Sequence, residues 1–212
     1  MDDKLKLSQE DLSDEDHRQL VTEFLINTCK IASPSEELVN LAVIAFTTPE
    51  YANETKTDNL GKLSFYGHAA TKQVICECLY SEYKLSEGYM TAVAEHLWHI
   101  DVFPECVYRA GIKFIYLLRI NNGVRKNAVD EVETMLLRAC KSFDALIGAL
   151  YRTKHFEEAK KLVIASVKQE MKYCVECITN TELDTYLMTI SQRSEKIKNA
   201  FLERFYESNK CD

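Results

Sequence analysis

The chain has 212 residues, 46% of them hydrophobic and 28% charged, a balance that supports a buried core and excludes a disordered polymer. Its 26 Lys and Arg against 33 Asp and Glu leave a net charge of −7, which argues against a nonspecific nucleic-acid binder held by bulk charge. With only 6 Gly and 3 Pro there are too few turn-formers for many short strands, so an all-β architecture is excluded.

The first 16 residues hold seven acids and two lysines, unlike a signal or transit peptide, and no stretch approaches the ~18 uninterrupted apolar residues of a membrane helix. The expectation is an intracellular protein without membrane contact, cytoplasmic or nuclear, with a mitochondrial location left open. Its eight scattered cysteines read as reduced thiols, several of them buried. Ser13 is placed to cap a first helix ahead of Glu15 and Asp16, with the apolar stripe Leu20, Phe24, Leu25 at helical spacing. Ser33-Pro34-Ser35-Glu36 reads as cap, first-turn proline and acid for a second helix through 38–46. Pro49 ends that helix, and 50–59 reads as a polar loop.

A proline-free segment over 60–83 sets Leu63, Gly67, Ala70, Val74, Cys78 and Leu79 on one helical face and predicts the central helix. Ser86 and Glu87 begin the next helix. Pro104 interrupts the chain before a shorter helix and the apolar patch 114–118, and Asn121-Asn122-Gly123 forms a turn. Long helices over 127–151, 156–177 and 182–206 complete an all-α chain without repeats.

Cys174 and Cys177 have the spacing of a redox or zinc half-site, but they fall inside a predicted helix with no second pair at zinc-finger distance, and read as structural. Cys76 and Cys78 face opposite sides of a helix. His96 and His99, at i and i+3, could seat a metal, but only Glu95 is at hand as a further ligand.

A set of words in a fixed order carries more. Ala45 to Glu54 reads A-F-T-T-P-E-Y-A-N-E, Lys62 to Ala69 reads K-L-S-F-Y-G-H-A, Leu85 to Gly88 reads L-S-E-G, and Ser142 to Tyr151 reads S-F-D-A-L-I-G-A-L-Y. Over about 37–166 this order and spacing resemble the ribonuclease III nuclease domain, specifically in the second half and in degraded form in the first. The resemblance implies an all-helical ribonuclease III-like domain over 34–178, flanked by helical extensions over 1–33 and 179–212, with no room for a double-stranded RNA-binding domain. It also implies a dimer, and cleavage of double-stranded RNA with magnesium held by four carboxylates. The four positions hold Ser64, His68, Lys141 and Asp144 here, and the supporting acid position holds Gly61, so one carboxylate remains. A hydroxyl, an imidazole and an ammonium in place of anions remove most of the attraction for a hard dication, so no metal and no cofactor are expected unless the chain is a noncanonical enzyme. Lys141 and Asp144, at i and i+3, are expected to pair with each other.

Family members project an aromatic residue from one subunit into a socket of the other, and this position holds Phe65. The resemblance therefore places Phe65, Tyr66 and Gly67 at a homodimer contact or at a heterodimer contact with a ribonuclease III relative. The plain alternative is that Phe65 is core. Double-stranded RNA is a possible partner, for which Lys62, Lys72, Arg109, Lys113, Arg125, Lys126 and Lys141 are candidate contacts. The expectation is a catalytically degenerate relative acting in an RNA-processing complex as dimerisation partner or RNA-binding scaffold. The alternatives are a structural protein of a ribosome or other ribonucleoprotein, and a noncanonical endonuclease using Glu54, Asp58 or Glu77.

Overall fold

The structure, a computed structural model, describes residues 12–99, 102–121, 132–178 and 183–209. Its helices are α1 (Asp14–Asn27), α2 (Glu36–Ala45), α3 (Pro49–Thr55), α4 (Gly61–Glu82), α5 (Glu87–Leu97), α6 (Phe103–Arg109), α7 (Val132–Arg152), α8 (Phe156–Ile178) and α9 (Leu183–Asn209). A short 3₁₀ turn covers Ile115–Leu117. Among the described residues there is no strand beyond one isolated bridge, Thr47 to Arg119, and none of the helices is long and apolar enough to cross a membrane. The chain is all-α, as its composition and word order predict.

Local chemistry sets the boundaries. Ser13 caps α1, its hydroxyl accepting from the Asp16 amide. Ser35, not Ser33, caps α2 by accepting from Leu38 N, so the proline precedes the helix instead of opening it. The expected loop over 50–59 is corrected by α3. Pro49 stands in its first turn, where a missing N–H costs nothing, and the Thr48 hydroxyl accepts from Tyr51 N. The proline that stops α2 thus starts the next helix, which ends at Lys56 in the left-handed region, φ 57°. The turn at Asn122-Gly123 and the first residues of the helix expected over 127–151 lie outside the described residues.

α4 and α7 form the most extensive helix pair, with α2 on one side of α7 and α8 packed against α4, α5, α6 and α7. The pair is close because both helices carry a glycine at the crossing. A Cβ on Gly67 would lie 1.7 Å from the Asp144 carbonyl oxygen, and one on Gly148 would lie 2.4 Å from the Leu63 carbonyl oxygen. In the main core Phe46, Phe143, Leu79 and Leu97 are fully buried, each contributing about 1.5–3 kcal/mol by leaving water. α1 docks on α2, and α9 lies against α5, α6 and α8. Of the cysteines, Cys29, Cys78, Cys106 and Cys174 are buried and free. Burial pushes the Cys29 and Cys174 thiols up to about 12, which makes them inert packing groups.

Candidate functional site

The glycine crossing brings the middle of α4 alongside α7, and the groove beside it is lined by Ser64, His68, Thr71 and Lys72 from α4 and by Lys141 and Asp144 from α7. Leu60, Trp98 and Leu137 supply apolar wall, and the groove has a volume of about 600 Å³. All four positions singled out by the family resemblance, Ser64, His68, Lys141 and Asp144, therefore share one site. Spacing explains this: 64, 68 and 71 recur on one face of α4, as 137, 141 and 144 do on α7.

Asp144 does not pair with Lys141. Its Oδ2 lies 2.9 Å from His68 Nδ1, and its Oδ1 accepts the Thr71 hydroxyl at 2.9 Å. The correction has a geometric cause. Asp144 is only 8% exposed because it faces α4 across the glycine contact, whereas Lys141 stands out in solvent. Thr71, which sequence reading missed, is the second partner of the carboxylate. Its signal was its place three residues after His68 on the same helical face.

Both oxygens of the one remaining carboxylate are thus engaged, and the other three positions offer a hydroxyl, an imidazole and an ammonium. Magnesium takes near-octahedral oxygen ligands through anionic or neutral donors, and this donor set does not fit it. Glu54, Asp58 and Glu77 do not line the groove. Glu54 accepts from Asn121 at 2.9 Å, Glu77 takes Gln73 Nε2 at 2.7 Å, and Asp58 is exposed in the segment before α4.

Phe65 is 85% exposed, which removes it from the core of this chain, and it stands at the mouth of the groove. Tyr66 is half exposed, its ring 6.5 Å from Tyr151, which in turn meets Phe156 edge-on at 5.2 Å. Gly67 points the other way, into α7. Of the basic candidates, Lys62 is exposed in the first turn of α4, and Lys72 holds its ammonium 4.5 Å from the Trp98 ring centre at the groove wall. Arg109 is bound to the buried Glu105 at 2.7 Å, and Lys113 lies over Tyr108; neither lines the groove. Arg125 and Lys126 lie outside the described residues.

His96 meets a carboxylate from α8 instead of joining His99. Its Nε2 is 2.9 Å from Glu170 Oε1, and Arg193 of α9 donates to both oxygens of Glu170 at 2.6 and 2.7 Å. His96, Glu170 and Cys174 cluster within 4.8 Å of one another, all buried. The arginine fork already fills the carboxylate, so this network reads as the clasp that holds α9.

No family model matches the chain. Among curated proteins it is similar to a ribonuclease 3 from Syntrophomonas wolfei subsp. wolfei, 25% identical over 157 residues, which cover 73% of this chain and 64% of that protein. It is also similar to a ribonuclease 3 from Lactiplantibacillus plantarum, 27% identical over 128 residues, covering 58% of this chain and 53% of the relative. The chain thus spans under two thirds of the length of each. These likenesses, with the all-helical fold, support a ribonuclease III-like relationship.

Proposed function

We propose that this chain is a ribonuclease III-like protein that has lost metal-dependent cleavage and acts in an RNA-processing complex as a dimerisation partner or double-stranded RNA-binding scaffold. The observation that carries the reading is the state of Asp144. The single carboxylate at the four family positions is bound on both oxygens by neighbouring side chains, with Lys141 one turn away. A protein built this way keeps the helix crossing of a nuclease while lacking its anionic cage. The placement of Glu54, Asp58 and Glu77 away from the groove weighs against a substitute metal site.

Phe65 supplies the second half of the reading. A phenylalanine 85% exposed beside a half-exposed tyrosine is costly to leave in water, and aromatic anchors seated in a partner dominate interface energy. Duplex RNA is recognised by shape, phosphates and 2′-hydroxyls, so binding without cleavage needs only cations along the groove, such as Lys62, Lys72 and Lys141. The test is a titration with duplex RNA at low and moderate salt, run beside light scattering of the protein alone and with a ribonuclease III partner. The expected result is weak, steeply salt-dependent binding by a dimeric species. A monomer in every mixture that ignores duplex RNA even at low salt overturns the reading.

A further inference from the structure

We infer that the groove carries a metal-free RNA-cleaving centre, in which His68 Nε2 takes the proton of a ribose 2′-hydroxyl in an unpaired stretch of RNA while Lys141 neutralises charge on the adjacent phosphate. The inference rests on the reading above, that the groove faces RNA and does not use a metal cage.

Asp144 orders the site. As a carboxylate it can only accept, so the Thr71 hydroxyl donates to Oδ1 and His68 Nδ1–H donates to Oδ2, each at 2.9 Å. A neutral imidazole whose Nδ1 holds the hydrogen has its lone pair on Nε2. The His68 side chain is 46% exposed and lines the groove, while the Asp144 side chain behind it is only 11% exposed. A buried carboxylate that fixes the tautomer and ring of an accessible histidine is the arrangement of a general base. Thr71 in turn fixes the carboxylate.

Lys141 shares the groove and is exposed, so its ammonium is available to a phosphate. Trp98, part-exposed, and Leu137, exposed, offer apolar surface to a base, and a groove of about 600 Å³ is large enough for a nucleotide. The chemistry these groups fit uses the substrate's own nucleophile. His68 Nε2 accepts the 2′-hydroxyl proton, the O2′–P bond forms, and the P–O5′ bond breaks. The proton returns from the imidazolium, directly or through water, to the departing O5′. The products are a 2′,3′-cyclic phosphate and a 5′-hydroxyl, and no water, metal or redox partner is consumed. Attack requires O2′, phosphorus and O5′ to line up, which stacked duplex geometry prevents and an unpaired nucleotide allows. The substrate class is therefore a loop or bulge beside a duplex. Asp144 and Thr71 are positioning residues, since they act through His68.

The experiment incubates the full chain with a hairpin RNA carrying a single-stranded loop, in EDTA and with an inhibitor of pancreatic-type ribonucleases. Cleavage in the loop is expected, with cyclic phosphate and 5′-hydroxyl ends, and none in a hairpin whose loop is 2′-deoxy throughout. His68→Ala is expected to lower the rate about 100-fold or more, with partial rescue by free imidazole, which a merely structural role would not show. Lys141→Ala is expected to lower it about 10-fold or more. Asp144→Asn is expected to reduce kcat with KM unchanged. Failure of the unaltered protein to cut in EDTA, cutting of the deoxy loop, or a His68→Ala loss that imidazole does not restore overturns the inference. Duplex binding without loop cleavage removes this inference and leaves the proposed scaffold role intact. Loop cleavage by a protein that does not bind the duplex stem removes the RNA-binding scaffold role instead.

Discussion

His17 is buried on α1, and its Nε2–H donates to the Leu117 carbonyl at 2.8 Å while Nδ1 has no partner. Burial holds it neutral, pulling its pKa from 6.5 down to about 4 despite the hydrogen bond. The unfolded chain therefore takes up this proton at higher pH than the folded one. The stability His17 confers is complete above pH 6.5 and is lost as pH falls toward 4, by about 3 kcal/mol. Urea unfolding at pH 7 and pH 4.5 checks this: His17→Gln, which keeps a donor and cannot titrate, should lose markedly less on acidification than the unaltered protein. At Gly67, alanine should cost about 3 kcal/mol although alanine normally favours a helix, because its Cβ meets the Asp144 carbonyl. An unchanged urea midpoint for Gly67→Ala would show that α4 and α7 do not cross there. The same contact explains which part of the site could be read from sequence. Helical spacing places Ser64 with His68 and Lys141 with Asp144, but the partner of Asp144 comes from across the crossing, 76 positions away, and local spacing cannot supply it.

At the scale of elements, α9 is held by a charged clasp. Burial alone would raise the Glu170 carboxyl, but hydrogen bonds from His96 and Arg193 and their attraction keep it below its usual range. Arg193 also stacks on Tyr173, 3.6 Å from the ring centre. Arg193→Ala should destabilise the chain by about 2–3 kcal/mol, since it strands most of a buried charge while Arg193 itself is partly solvated. Because the folded carboxyl is depressed, the clasp is fully present above pH 4.5 and fails as pH drops through the lower folded value. Hydrogen exchange across α9 should accelerate in Arg193→Ala at neutral pH, with α4 and α7 still protected. Uniform acceleration of all helices would contradict a local clasp. The helices themselves were largely legible, because apolar spacing and capping residues are local signals. Pro49 is an exception because it fits a helix stop and a first turn equally well, and the choice fell to the Thr48 cap and to the distant pairing of Thr48 N with the Arg119 carbonyl at 3.1 Å, which local spacing does not supply. Ser33 and Ser35 flank one proline, and it is the second whose hydroxyl accepts from the amide three residues on, that of Leu38.

Across the whole molecule, an exposed aromatic face and a groove with cationic rim residues stand on a chain of net charge −7. Phe65→Ser should leave the unfolding midpoint unchanged at concentrations where the chain is monomeric, because the ring makes little of the core, while weakening self-association or partner association by about 2 kcal/mol or more in sedimentation experiments. Loss of folding stability without loss of association would show that Phe65 serves the monomer. Lys141→Glu should weaken duplex binding and flatten its salt dependence by about one phosphate contact. If the proposed scaffold role holds, the helix crossing of a metal-dependent nuclease is kept in this chain without the metal-dependent chemistry. The most direct measurement is the cleavage rate of a long, fully paired RNA by the purified chain in millimolar magnesium and, separately, in EDTA. The expected result is the same negligible rate in both, with Asp144→Asn indistinguishable from the unaltered protein. Magnesium-dependent cutting of the duplex, abolished by Asp144→Asn, would contradict it.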